Sequence, residues 1–346
     1  MLKHLLAGAA ALALFAGMAA AKDTITIGMQ LEPPNLDPTS GAAAAIREVT
    51  YANIYEGLTR FGPDGSVQPA LASSWEPSEG GKVWTFTLRE GVKFHDGTTF
   101  DADDVVFTLD RARAPDSTNA QKQLFAGIES VEAVNPTTVR VTLSAPNGNF
   151  PWNMAWGDAV IMAPESVATN ATNPVGTGPF RFANWVQGDR VEIVASPDYW
   201  GEPVALKGAT FKFISDPTAA FAAMMAEDVD AFPVFPAPET LVQFEADPRF
   251  KVVVGSTEGE TILAMNNKAP NLDNPKVRAA IAHAIDRQAI IDGAMFGYGT
   301  PIGTHFAPHH PDYVDLTHLS AHDPAAARAL LAEAGVSGLK LRLHLP

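Results

Sequence analysis

Five of the nine histidines in this 346-residue chain crowd into one stretch: His305, His309, His310, His318 and His322. Imidazoles beside Asp312 and Asp315 are residue types that hold a transition metal. Their steps of four, one, eight and four residues match no zinc-site spacing, and prolines interrupt them. A solvated polar loop with a few packed imidazoles is the plainer reading, with metal as its alternative. Gly176-Thr177-Gly178 starts like a phosphate cradle, but Pro179 removes a backbone donor where a cradle needs one, so it reads as a turn. Asp101, Asp103 and Asp104 fit the positive end of a helix better than a catalytic cluster. Trp75, Trp84, Trp152, Trp156, Trp185 and Trp200 could line a cleft, though each also reads as core. No G-x-S-x-G, H-E-x-x-H or Walker motif is present. With no assembled nucleophile and base, the chain reads as a binder and not an enzyme, needing no cofactor.

Composition narrows the field. Zero cysteine excludes a disulfide scaffold, Cys-based metal sites and a lipidated N-terminal cysteine. A formal charge of −15 argues against sequence-independent binding to nucleic acid or anionic lipid. The N-terminus has Lys3, an apolar run from Leu5 to Met18 and then Ala19-Ala20-Ala21. That is the pattern of a signal peptide over residues 1–21, cleaved after Ala21, and it points to the periplasm.

The elements that must position any site follow from hydrophobic period. Strands are predicted at 24–28, 83–89, 131–134, 139–143, 191–194 and 210–214, and residues 92–94 are read as a continuation of 83–89. Helices are predicted at 42–55, 101–114 and 216–228. Residues 229–232 read as a short buried strand. Asn274, Pro275 and an apolar stripe predict one long helix within 271–297, and Asp323-Pro324 starts another that ends at Gly335. Residues 339–345 alternate strictly, as a final strand with no partner after it. The mixture is α/β without a strict βαβ rhythm.

The motifs then carry a resemblance. Tyr55-Glu56-Gly57-Leu58-Thr59-Arg60-Phe61, Pro69-Ala70-Leu71-Ala72-Ser73-Ser74-Trp75, Gly91-Val92-Lys93-Phe94-His95-Asp96-Gly97 and Pro197-Asp198-Tyr199-Trp200-Gly201 resemble segments of the family 5 solute-binding proteins. Segments 84–89, 100–109, 174–180, 184–189, 277–292 and 323–335 continue it in order. The resemblance implies a two-lobed periplasmic-binding-protein clamshell serving an ABC importer. Residues 22–56 and 175–264 would form the core of lobe I, residues 57–174 an inserted β-rich subdomain, and residues 265–346 the start of lobe II. Family members run further, so a truncated product or a fragment with an incomplete second lobe is expected.

The implied ligand is a di- or oligopeptide and the implied partner an inner-membrane permease, with the protein a monomer. Nickel or a metal chelate is the alternative within the family; a secreted hydrolase is the remote one. Three segments are placed at the cleft by the resemblance. Ser40-Gly41-Ala42 are small enough for backbone to approach a ligand. Phe232, Val234 and Phe235 could form an apolar wall. Met265 and Asn266 lie at the implied crossover.

Overall fold

A computed structural model describes residues 22–257, 259–310 and 312–344. The expected signal peptide lies outside them. The chain divides into two compact units, one through Pro236 and the other from Ala237.

The first unit holds two four-stranded sheets. In one, β1 (Thr24–Met29) pairs in parallel with β10 (Gly208–Phe213), and β9 (Arg190–Ala195) and β8 (Phe180–Val186) follow antiparallel. The other is an antiparallel meander in the order β4 (Ala72–Ser78), β5 (Val83–Leu88), β7 (Thr138–Leu143), β6 (Ile128–Asn135). A small hairpin, β2 (Thr59–Phe61) with β3 (Val67–Pro69), turns at Gly65 with φ +77°. That conformation is why Gly sits there.

Each sheet has its own core. Phe86, Leu88, Phe125, Val139, Val141 and Phe150 pack beside the meander. Met29, Leu36, Ile54, Tyr55, Val191 and Phe211 pack beside the β1 sheet. The segment 159–163 runs between them, and its side chains alternate. Ala159, Ile161 and Ala163 join the meander core, while Val160 and Met162 join the other. An unbroken apolar run buried on both faces is what such a position requires.

A polar clasp also ties the first unit together. The buried Glu56 carboxylate accepts from Thr177 Oγ1 (2.9 Å), Trp200 Nε1 (2.8 Å) and Tyr199 OH (3.1 Å). Burial pushes its pKa up despite these three donors. The Arg89 guanidinium lies over the Trp200 ring at 4.5 Å. Gly176 and Gly178 explain themselves here: a Cβ would come within 2.0 Å of Ile54 O and 2.3 Å of Asn53 O. These glycines permit close backbone approach. His95 closes the strap, with Nε2 2.9 Å from Gly178 O and Nδ1 accepting from Gly176 N.

The helix Ala102–Arg113 begins with a complete capping box of Asp101 and Asp104. The expected strand continuation at 92–94 is instead a small β-bridge, Lys93 to Thr99, around the turn at Gly97. The helix expected over 42–55 spans only Ala44–Thr50, because Tyr51 turns extended and Ala52 adopts φ +58°. Residues 229–232 make one parallel bridge, Ala231 to Ile27, in place of a full strand.

Among its described residues the second unit has helices and coil and no strand. The single helix expected within 271–297 is two, Pro275–Ala284 and Arg287–Ala294. Asp286 breaks it: its carboxylate caps the second helix through Ala289 N. The helix Pro324–Glu333 begins at Asp323, as expected, and Gly335 follows it with φ +69°. Residues 339–344 are coil, not the expected strand. Alternation alone cannot satisfy backbone groups without a neighbouring strand.

Candidate functional site

Parallel pairing sends three chain segments out at one edge of the first sheet. β1 ends at Met29, β10 ends at Phe213, and Ala231 pairs in parallel with Ile27. Residues 30–42, 214–216 and 232–236 therefore all leave from strand carboxyl ends. Loops at such an edge, carried by a fixed sheet, are where α/β folds place ligands.

The first of these loops is held by its own polar side chains. Asn35 Oδ1 accepts from Asp37 N at 2.8 Å. Asp37 Oδ1 accepts from Thr39 N (2.8 Å) and Thr39 Oγ1 (2.6 Å). The Asp37 carbonyl then accepts from Ser40 N at 3.1 Å. Successive turns of this kind are local and cheap in entropy. Two arginines tie the loop to the rest of the unit. Arg111 donates to Thr39 Oγ1 and, at 3.5 Å, to Asp37 Oδ2. Arg47 donates to the carbonyls of Gly41 (3.3 Å) and Ala42 (3.1 Å).

Behind Arg47 lies Asp158. Its side chain is fully buried, with Arg47 Nη1 3.4 Å away, and neither carboxylate oxygen accepts a hydrogen bond. Burial pushes its pKa up, and Arg47 partly offsets that. A Cβ on Gly157 would strike Arg47 Cδ at 2.7 Å, so the glycine gives that side chain its path.

A cavity of about 180 Å³ opens beside this loop. Thr39, Thr108, Arg111, Ser117, Thr118 and Asn119 supply polar lining, and Asp116 and Asp158 line it as well. A concave space with a few convergent polar groups is the usual form of a small-molecule site.

Of the residues expected at the cleft, Ser40, Gly41 and Ala42 belong to this loop. Ser40 and Gly41 are half-buried and Ala42 is exposed. Gly41 also has a packing reason, since a Cβ there would meet Ile46 Cδ1 at 2.7 Å. Phe232, Val234 and Phe235 leave the same sheet edge. Phe232 lies against Gly28, where a Cβ would fall 2.3 Å from its ring, and meets Phe235 edge-on at 5.5 Å. Val234 is 66% exposed. Met265 and Asn266 belong to the second unit, where Asn266 opens a turn through Lys268 N at 3.0 Å.

The residues that reasoning from sequence missed are Arg47, Arg111, Asp158 and the segment 116–119. Only the Asn35-x-Asp37-x-Thr39 spacing carried a local signal, that of turn chemistry. The five crowded histidines do not converge. His305 meets Glu260 (3.0 Å), His322 faces Asp286 (3.3 Å) and His310 stacks on Phe306 (4.5 Å). Among the described residues no three metal-ligating side chains come together.

Known proteins are similar to this chain in sequence and fold. The family model for bacterial extracellular solute-binding proteins, family 5 Middle, matches residues 66–344. The glutathione-binding protein GsiB of Pectobacterium atrosepticum is 35% identical over 323 residues, which covers 91% of this chain. The chain spans 62% of that relative's length. NikZ from Campylobacter jejuni, solved in complex with Ni(L-His), superposes with a TM-score of 0.79 at 27% identity, over 91% of this chain and 64% of that one. DppA from Helicobacter pylori, solved with the peptide STSA, gives a TM-score of 0.78 at 26% identity, over 90% and 66%. The fold class is thus the α/β two-lobed binding-protein class that the motifs led us to expect.

Proposed function

We propose that this chain, which belongs to the bacterial extracellular solute-binding proteins of family 5, captures peptides and delivers them to an ABC permease of the inner membrane. The reading assigns it to the periplasm as a monomer, exported by the segment 1–21, that binds its ligand and leaves it chemically unchanged. Among the described residues no helix is long and apolar enough to cross a membrane.

The observation that carries the reading is the ordered match over 91% of the chain to a relative named for a tripeptide ligand. A neighbour holding the peptide STSA supports it. The site adds a physical reason. A loop pinned by Arg47 and Arg111 at a sheet edge presents backbone with little ordering left to lose on binding. Backbone recognition tolerates varied side chains, which suits a peptide importer.

In this reading residues 22–56 and 175–264 are the lobe I core, 57–174 its inserted subdomain, and 265–346 belong to lobe II. Ser40, Gly41, Ala42, Phe232, Val234, Phe235, Met265 and Asn266 are the proposed ligand contacts. Closure follows when ligand binds the closed form better than the open one.

Isothermal titration of the chain with glutathione, a set of dipeptides and Ni(L-His), in separate runs, tests this. Saturable binding of a peptide with no hydrolysis is expected. Binding of Ni(L-His) alone, or turnover of the peptide, overturns it.

A further inference from the structure

We propose that the cavity beside Arg111 seats a zwitterionic α-amino-acid head, one carbon bearing both a free carboxylate and a free ammonium. This rests on the solute-binding reading and names a ligand class for the cavity beside the loop that carries Ser40, Gly41 and Ala42.

The donors come first. Arg111 spends N–H groups on Thr39 Oγ1 and Asp37 Oδ2, and its remaining N–H groups are uncommitted. Ser117 Oγ accepts from Asn119 N and keeps its own O–H to give. Thr118 is exposed on the same wall and, among the described residues, its hydroxyl makes no hydrogen bond. Other polar groups of the lining are already occupied. Thr108 Oγ1 both donates to Met162 O and accepts from Met162 N, and Asn119 Nδ2 donates to Asp158 O. The spare groups are therefore donors, and they suit a carboxylate, which accepts through both oxygens.

The acids decide the rest. Asp158 lines the cavity, but its oxygens are sealed and face Arg47. Asp116 is exposed in the lining and, among the described residues, has no ion-pair partner. A bare carboxylate ligand would gain Arg111 and meet Asp116. A bare ammonium would gain Asp116 and meet Arg111. A head carrying both satisfies each and adds no net charge.

The consequence is a preference of linkage. An ordinary α-linked peptide separates its ammonium and carboxylate between its two ends. A γ-linked glutamyl peptide keeps both on one carbon. Titration of the full chain with γ-Glu-Gly and with its isomer α-Glu-Gly, at neutral pH, compares the two directly.

The γ-isomer is expected to bind about tenfold more tightly, the scale of one charge-assisted contact. Asp116→Asn should erase most of that preference, as should N-acetylation of γ-Glu-Gly. Thr118→Ala should weaken the γ-isomer several-fold. Both residues are exposed, so the melting temperature should stay unchanged. Equal or tighter binding of the α-isomer overturns this inference and leaves peptide capture standing. Failure of both isomers and of every other dipeptide overturns both. An undiminished preference in Asp116→Asn also overturns the assignment.

Discussion

The two units spend their apolar residues differently. Six large hydrophobic side chains are exposed in the first unit and thirteen in the shorter second unit, among the described residues. The first unit carries all ten strands of the described residues and two dense cores. In the second, burial is concentrated around the helices Pro275–Ala284 and Pro324–Glu333, through Val277, Ala280, Ile281 and Ala327. Stretches such as Val252-Val253-Val254 and Ile262-Leu263 have strand-like composition yet remain coil. The difference teaches that a strand pattern states what a segment can pair with, and that packing decides whether it does.

Hydrogen exchange should show the largest contrast. Amides of β5, β7, β9 and β10 should exchange orders of magnitude more slowly than those of residues 251–257 and 259–264. Equal protection in both regions would break the comparison. Gly176→Ala comes next. Its Cβ would sit 2.0 Å from Ile54 O, costing about 3 kcal/mol or more. Thermal unfolding should shift in the first unit, while exchange in Pro275–Ala284 stays as it was. Glu56→Ala strands three buried or half-buried donors and should cost about 3 kcal/mol, read by denaturant titration. Glu56→Gln, which keeps an acceptor, should recover part of it.

Acid separates two helix starts by sign, one in each unit. Asp104 is pushed up to about 6, mainly by burial. Its folded-state value lies above the unfolded one, so its destabilising charge is fully present at pH 7 and is relieved as pH falls through about 6. Asp104→Asn should therefore gain about 1–2 kcal/mol at pH 7 and gain little near pH 4. Asp323 is the opposite case. Hydrogen bonds from Ala326 N and then Ala325 N hold its carboxyl below the usual range, against a smaller effect of burial. Its contribution is present above the unfolded value and is lost as pH falls through the lowered one. Asp323→Asn should flatten that small loss, followed by the helicity of Pro324–Glu333. Matching signs at the two sites would contradict the contrast.

Local chemistry made much of the first unit legible. The three acids at 101–104 announced a helix start, and Asp101 and Asp104 form its capping box. The period-2 runs at 131–134 and 139–143 fall within β6 and β7. The Asx hydrogen bonds at Asn35 and Asp37 are local in the same way. What sequence could not show were pairings across long separations. Arg47 meets Asp158, and Arg111 meets Thr39, only because helix, loop and buried segment converge. Asp286 looked like one more residue of a long helix, since a cap and an interior Asp differ only in backbone angles. Closeness in sequence within a loop does not bring imidazoles to one point: the crowded histidines meet separate partners, Glu260, Asp286 and Phe306.

Native mass spectrometry tests the central claim most directly. The chain would be incubated with an equimolar mixture of dipeptides, glutathione and Ni(L-His), then transferred intact and compared with its denatured mass. The account predicts one noncovalent adduct whose mass is that of an unaltered peptide, released on denaturation. A chain that emerges bare from every mixture, or that converts the peptides to their amino acids, would contradict it.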